Sequence, residues 1–456
     1  MPARMRCWTR RKTHFGGLTM TFRAMKAVLL ACAGVGALIA ATADANAGGF
    51  AVREQSAYGQ GTSFAGIAAG GDLSGMFWNP AVMTQFAGIQ SSVSFSAIFP
   101  YAANSPSAGS TYFGLGGTNN TAVDAFVPSS YFSYQLNPNL WLGMSINSPF
   151  GLSVGFPDSW AGRDYAAGTT SLRTYNATPS LAYRVNDWIS VGVGVQIEYA
   201  KASLTHGVSL VVPGVGTVPV GDATLAGDGW GYGFTAGVTL MPMPGTIIGV
   251  GYRSAINQPI SGTLASPLGV ASASTTINLP DIVSLGIRQR LDPEWTLLGT
   301  VEWTNWSRIG TSVIAGAPVP ASLPFDYQDG WLFSIGAEYQ ASDRLTLRSG
   351  IGYEISPITD DVRIPLLPDN DRVWASVGAS WLIGKGLSAD LAYSHLFVRS
   401  TPINISAASG NPWFAGTGVT YIGDVQSHID ILSVGLKYRW DNPEPPPPTK
   451  SALYHK

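Results

Sequence analysis

The chain has 456 residues, of which 26 are basic and 28 acidic, giving a formal net charge of −2. Only 12% of its residues are charged, against ~25% in typical soluble domains, which excludes a basic surface built for nucleic acid. Its 11% aromatic residues and 54 glycines suit aromatic girdles and closely packed strands.

The N-terminus reads as an export leader. Arg23 and Lys26 precede an apolar run over 27–41, and Ala45-Asn46-Ala47 offers a small-residue cleavage site before Gly48. Residues 1–24 do not resemble a normal n-region, so Met20 or Met25 is the expected initiator. The run is too short for a spanning helix, and no later stretch reaches the 18 or so apolar residues that one requires. Cys7 and Cys32 both lie within 1–47, so the exported chain would be free of thiols, disulfides and cysteine chemistry. Leu29-Leu30-Ala31-Cys32 has the look of a lipoprotein processing site. Apolar residues continue past Cys32, however, so simple cleavage is the expectation. Removing 1–47 leaves 19 basic and 27 acidic residues, a net charge of −8, which again argues against nucleic acid as a partner.

Residues 48–88 are rich in Gly, Ala and Ser, show no strand alternation and contain Asn79-Pro80-Ala81. A compact segment ahead of a barrel can sit in the periplasm or inside the lumen. A wide lumen leaks unless filled, which favours a plug.

From about residue 89 the chain reads as fourteen alternating strands. Six tight turns carry turn chemistry: Asn137-Pro138-Asn139, Asn186-Asp187, Pro242-Met243-Pro244-Gly245, Asp292-Pro293-Glu294, Ser342-Asp343 and Gly384-Lys385-Gly386. Between them lie seven longer stretches, read as loops, near 102–125, 152–170, 205–228, 259–275, 310–327, 357–371 and 402–425. Turns on one side and loops on the other are the rhythm of an antiparallel barrel threaded through a bilayer, with both barrel ends on the turn side. Alternation supports it. Over 189–199, Ile189, Val191, Val193, Val195, Ile197 and Tyr199 form an apolar face opposite Ser190, Gly192, Gly194, Gln196 and Glu198. Leu345, Leu347, Ile351 and Tyr353 likewise oppose Arg348 and Glu354, and Leu432, Val434, Leu436 and Tyr438 oppose Lys437 and Arg439, so these charges should face the lumen. The alternative is a large secreted β-protein. Length alone would suggest two or three domains, but one such barrel absorbs most of the chain.

Several motifs in order carry a resemblance: Gly48-Gly49-Phe50, Asn79-Pro80-Ala81, Ser148-Pro149-Phe150-Gly151-Leu152, Trp160-Ala161-Gly162-Arg163, Trp303-Thr304-Asn305-Trp306-Ser307 and Asp369-Asn370-Asp371-Arg372-Val373-Trp374. From Gly48 to Trp440 the chain resembles the FadL family of outer-membrane transporters for hydrophobic compounds. The resemblance implies an all-β fold: a 14-stranded antiparallel transmembrane β-barrel over 89–440 with an N-terminal hatch over 48–88, in the outer membrane of a Gram-negative cell. Passive uptake of long-chain fatty acids or aromatic hydrocarbons is the implied function. Outer-membrane lipid and the barrel-assembly machinery are the implied partners.

The resemblance also implies roles. Phe50 would reach into the ligand site, Asn79, with Pro80 and Ala81, would latch the hatch to Glu354, and His206 and Leu323 would occupy the positions where fatty-acid carriers place two basic residues. A leucine cannot hold a carboxylate and a lone histidine is only partly charged at neutral pH, which favours an uncharged ligand unless Lys201 or Arg363 substitutes. For Glu354 the alternative is a solvated lumen network with Arg348, Lys437 or Arg439. Pro149 cannot donate to a strand ladder, so Pro149, Phe150 and Gly151 should kink or unpair the third strand, where the family's lateral exit lies. Alternatively, Pro149 merely starts a loop at the barrel rim.

Two other classes of function were open to the residues. Gly151-Leu152-Ser153-Val154-Gly155 matches the G-x-S-x-G pattern of a barrel-borne lipase or esterase. Phe156-Pro157-Asp158 is a poor helix start, however, and the remaining histidines are His206, His395, His428 and His455, so no enzyme is expected. A non-specific diffusion porin would lack the hatch. No metal cluster or nucleotide loop appears, so no cofactor is expected. Residues 441–456, with four consecutive prolines, read as a periplasmic tail.

Overall fold

The computed structural model describes residues 49–440, so the leader, both cysteines and the proline-rich tail lie outside the described residues. Within them, fourteen strand positions close into one antiparallel ring. In chain order they are Ile89–Pro106, Ala125–Asn137, a third strand in two pieces (Leu140–Asn147 and Gly151–Phe156), Gly168–Arg184, Ile189–Val212 and Gly216–Met243. The seventh and eighth are also divided (Thr246–Arg253 with Ile256–Ser266, and Gly269–Leu279 with Ile282–Arg290). Trp295–Thr304, Gly330–Ser342, Leu345–Ile355, Arg372–Gly384, Leu387–Val398 and Tyr421–Arg439 follow. The last strand pairs with the first over Gln90↔Arg439 to Pro106↔Gly423, which closes the sheet and leaves no free edge there.

Every tight turn expected from the sequence falls between two strands. The alternation is equally direct: Val193 and Ile351 lie about 60% exposed on the outer face, while Glu198, Arg348, Glu354 and Ser433 are buried inside. No helix among the described residues is long and apolar enough to cross a membrane, and the crossing elements are the strands.

Two expected loops are not loops. Stretches 205–228 and 259–275 continue as ladders: Thr205↔Thr224 and His206↔Ala223 pair in one, and Thr275↔Ile260 and Ser272↔Thr263 in the other. Thr224↔Ala265 through Asp228↔Ser261 then join the two hairpins. Gly, Pro and Asp in these stretches favour irregular backbone. Cross-strand pairing of the intervening Val, Leu and Thr wins, and the reversal is confined to 213–215 and 267–268.

Residues 49–88 fill the interior. Their turns are short: Ala57–Gln60, Ile67–Ala69, Leu73–Phe77 and Pro80–Gln85. They touch the wall all round, and wall glycines make room for them. A Cβ on Gly251 of the seventh strand would sit 1.8 Å from the Trp78 carbonyl oxygen, and one on Gly350 of the eleventh 2.1 Å from that of Thr62. Charge anchors the segment as well. Tyr58 donates to Glu338 and lies under three cations, with the Arg348 guanidinium 3.9 Å, the Lys437 ammonium 4.9 Å and the Arg288 guanidinium 5.9 Å from its ring centre. Lys437 also meets Asp72 of the segment at 3.0 Å and Asp390 of the wall at 3.1 Å.

Candidate functional site

The third strand is interrupted over 148–150. Its first piece pairs with the second strand up to Ser130↔Ile146 and with the fourth up to Asn147↔Asn176. Its second piece pairs with the fourth from Gly151↔Arg173 onward, a shift of one residue in register. Residues 125–129 of the second strand pair with the first, and no ladder joins them to the third among the described residues. Pro149 has no N–H to give, but its carbonyl is used: Val52 N–H donates to Pro149 O at 2.8 Å and Gly151 N–H to Phe50 O at 2.9 Å, bridging Ala51 to Phe150. The tip of the interior segment thus stands in for the missing strand partner. Pro149 lies inside the strand's course, since Leu152, Ser153 and Val154 continue the pairing.

Above this interruption lies a large apolar cluster. Phe50 is 3% exposed and packs edge-on to Trp306 at 4.8 Å and Phe150 at 6.2 Å, with Phe325 at 6.5 Å. Trp160 of the Trp-Ala-Gly-Arg motif stacks on Phe156 at 5.2 Å and donates from Nε1 to Ala166 O. The loops are tied together over this cluster. Arg163 meets Asp222 at 2.8 Å, the Tyr112 hydroxyl donates to Ser209 Oγ at 2.9 Å, and Tyr165 donates to the Val419 carbonyl. Burial pushes the Asp164 carboxyl up from its ordinary value, against the pull of the Ser209 hydroxyl and Arg163.

The charges beneath the cluster form one network. Arg53 pairs with Glu302 of the ninth strand and, at 3.2 Å, with Glu354 of the eleventh. Glu354 also accepts from Trp374 Nε1 at 2.9 Å and lies 3.6 Å from Arg372 Nε. Arg372 pairs with Asp369, which in turn accepts from the Gly49 N–H at 3.0 Å and from Ser356 Oγ at 2.6 Å. Burial pushes the Asp369 carboxyl up, opposed by Arg372 and the Gly49 N–H.

The expected contact between Asn79 and Glu354 is not made. Asn79 Nδ2 donates to Ala68 O at 2.8 Å and Val238 O at 2.9 Å, while its Oδ1 accepts from Ala81 N–H at 3.0 Å and caps the turn that Pro80 opens. The reason is positional: Val238 lies toward the turn end of its strand and Glu354 beside the loop end of its own. A buried carboxylate also needs a cation more than an amide. Arg53 supplies it, with Arg372 on the other carboxylate oxygen.

The two positions weighed for a carboxylate separate. Leu323 borders the apolar cluster from the short hairpin Thr311–Ile314/Ala321–Pro324, whereas His206 is exposed on the long hairpin with Nδ1 2.9 Å from the Gly207 carbonyl oxygen. Lys201 is exposed. Arg363 is buried among the cluster's loop residues, its nitrogens engaged by Asp360 and by the carbonyls of Asp369, Pro402 and Ile358. Ser153 of the G-x-S-x-G match sits within a strand rather than at a strand-to-helix elbow.

Residues 37–440 match the family model described as outer membrane protein transport protein (OMPP1/FadL/TodX). A long-chain fatty acid transport protein of Shigella flexneri is 28% identical over 426 residues, covering 82% of this chain and 94% of that one. The crystal structure of a Pseudomonas aeruginosa FadL homologue superposes with a TM-score of 0.77 at 24% identity over 86% of this chain and 100% of that one. The Ralstonia pickettii toluene transporter TbuX superposes at 0.60 with 18% identity, over 86% and 100%. These solved structures share the fold.

Proposed function

The chain belongs to the outer membrane protein transport family (OMPP1/FadL/TodX), a family of outer-membrane barrels and not of enzymes, and from that premise we propose that it passes a hydrophobic compound from the cell exterior into the outer membrane. The compound is captured in the apolar cluster around Phe50 and leaves sideways between the second and third strands, with residues 48–88 acting as the hatch. The observation that supports this reading is the position of Phe50. Its ring lies inside the apolar cluster while its carbonyl pairs with Gly151 at the strand interruption, so capture and exit meet at one residue. An apolar solute gains ~25 cal/mol for each Å² it buries, so it partitions into such a cluster and then into lipid without an energy source.

The ligand is uncharged, a monoaromatic or similar hydrocarbon rather than a fatty acid. Leu323 borders the cluster, His206 is exposed to solvent, and Arg363 is already engaged. The name of the Shigella relative favours the second reading, a long-chain fatty acid. Uptake of toluene and of oleate at low concentration, compared in cells with and without the protein, tests both. Faster uptake of toluene alone is expected. Equal rates for both solutes with and without the protein would overturn the transport reading.

A further inference from the structure

The opening between the second and third strands is crossed by a direct bond, Asn147 Nδ2 donating to the Tyr131 hydroxyl at 2.8 Å, and by one residue of the interior segment that reaches both edges. Gln55, on the interior segment and fully buried, donates from Nε2 to the Ser148 carbonyl at 2.7 Å, and its Oε1 lies 3.3 Å from the Ser148 nitrogen and from Asn147 Nδ2. All three contacts are on the third strand. Its own main-chain carbonyl accepts from Ser129 Oγ at 2.8 Å and from the Tyr131 hydroxyl at 2.7 Å, both on the second strand. The ladder between those strands stops at Ser130↔Ile146, and beyond the opening Gly155 N–H donates to Thr121 O at 2.8 Å. Gln55 therefore lies in the unladdered stretch, its amide on one edge and its carbonyl on the other.

We propose that Gln55 is the positioning residue that closes this seam, and that the exit opens when its carboxamide releases Ser148. The proposal rests on the lateral-exit reading above and adds what holds the exit shut. The geometry also supplies a link to ligand. Gln55 Nε2 bonds Val52 O at 3.1 Å, Val52 N–H pairs with Pro149 O, and Phe50, two residues earlier, lies in the apolar cluster. A ligand that takes the place of the Phe50 ring shifts Val52 and draws Gln55 from Ser148. A glutamine suits this work. Its amide satisfies both the carbonyl and the N–H of Ser148 with no charge to bury, and each bond is weak enough to be exchanged.

The test uses the full-length protein in cells, with toluene as probe and two variants. Gln55→Met keeps the side chain's length and packing but removes its hydrogen bonds. Gln55→Ala removes both. Both variants are expected to raise the uptake rate about tenfold at low toluene, the effect of losing one to two net hydrogen bonds, with toluene affinity unchanged. Wild-type uptake by Gln55→Met would overturn the proposal, and faster uptake by Gln55→Ala alone would then assign the effect to packing. Slower uptake by both at normal surface abundance would also overturn it. A Gly151→Trp barrel separates this from failure of the underlying reading. If it stops uptake while both Gln55 variants behave as wild type, lateral exit stands and the role of Gln55 falls. If it transports at the original rate, lateral exit itself falls.

Discussion

Arg53 Nη2 lies 3.2 Å from Glu354 Oε1, so the cation that follows the Ala51–Phe150 bridge is paired with an anion on the opposite part of the wall. The same guanidinium pairs with Glu302. Two carboxylates from different strands thus share one cation from the interior segment, and the tip of that segment is held from both sides.

Removing that cation leaves two buried carboxylates without it. Arg53→Ala is expected to destabilise the packing of the interior segment by about 3–5 kcal/mol, the usual result of breaking a buried pair from one side. The wall ladders do not depend on Arg53, so the barrel should still insert. Ion conductance of the purified barrel in planar bilayers should rise well above wild type. Unchanged conductance would show that the network does not restrain the segment.

Asn79→Ala should be milder. It removes a turn cap and the bonds to Ala68 and Val238, a cost of about 1–2 kcal/mol, and it leaves the Arg53–Glu354 pair untouched. Thermal unfolding in detergent should show a modest drop in midpoint with toluene uptake within about twofold of wild type. A rise in ion conductance as large as that of Arg53→Ala would restore Asn79 as the latch.

Leu323 tests ligand chemistry. Leu323→Lys places an ammonium at the border of the apolar cluster and removes apolar surface worth about 1.5–3 kcal/mol when buried against a ligand. Toluene affinity should fall about tenfold or more, and oleate should gain in competition for the site. Tryptophan fluorescence titration reads both, since Trp306 is in the cluster. A variant that binds toluene as wild type would place the ligand elsewhere.

Ser153→Ala is expected to transport at the wild-type rate. Ser153 is a buried strand residue, and the relatives are transport proteins. Loss of uptake at normal surface abundance would reopen the hydrolase reading.

Much of the site was visible in the motifs, but not its connections. The Trp303 to Ser307 and Ser148 to Leu152 motifs supply Trp306 and Phe150, which meet Phe50, and the motif from Asp369 supplies the acceptor for Gly49 N–H. Arg53 and Gln55 were missed. The available signal was chemical: Arg53-Glu54-Gln55 is a polar run in a segment otherwise dominated by Gly, Ala and Ser.

What the sequence determined by itself is the barrel. Lipid on one side and a polar interior on the other impose a period of two on every strand, and turn residues must punctuate it, so strand number and inward charges are local signals. Only the tertiary structure decided what the interior segment touches. That segment has no period, and its partners lie far along the chain: 301 residues separate Arg53 from Glu354, and 93 separate Gln55 from Ser148. Tertiary pairing also turned 205–228 and 259–275 from loops into hairpins, because the strength of a ladder depends on the strand beside it, which a single stretch of sequence does not contain.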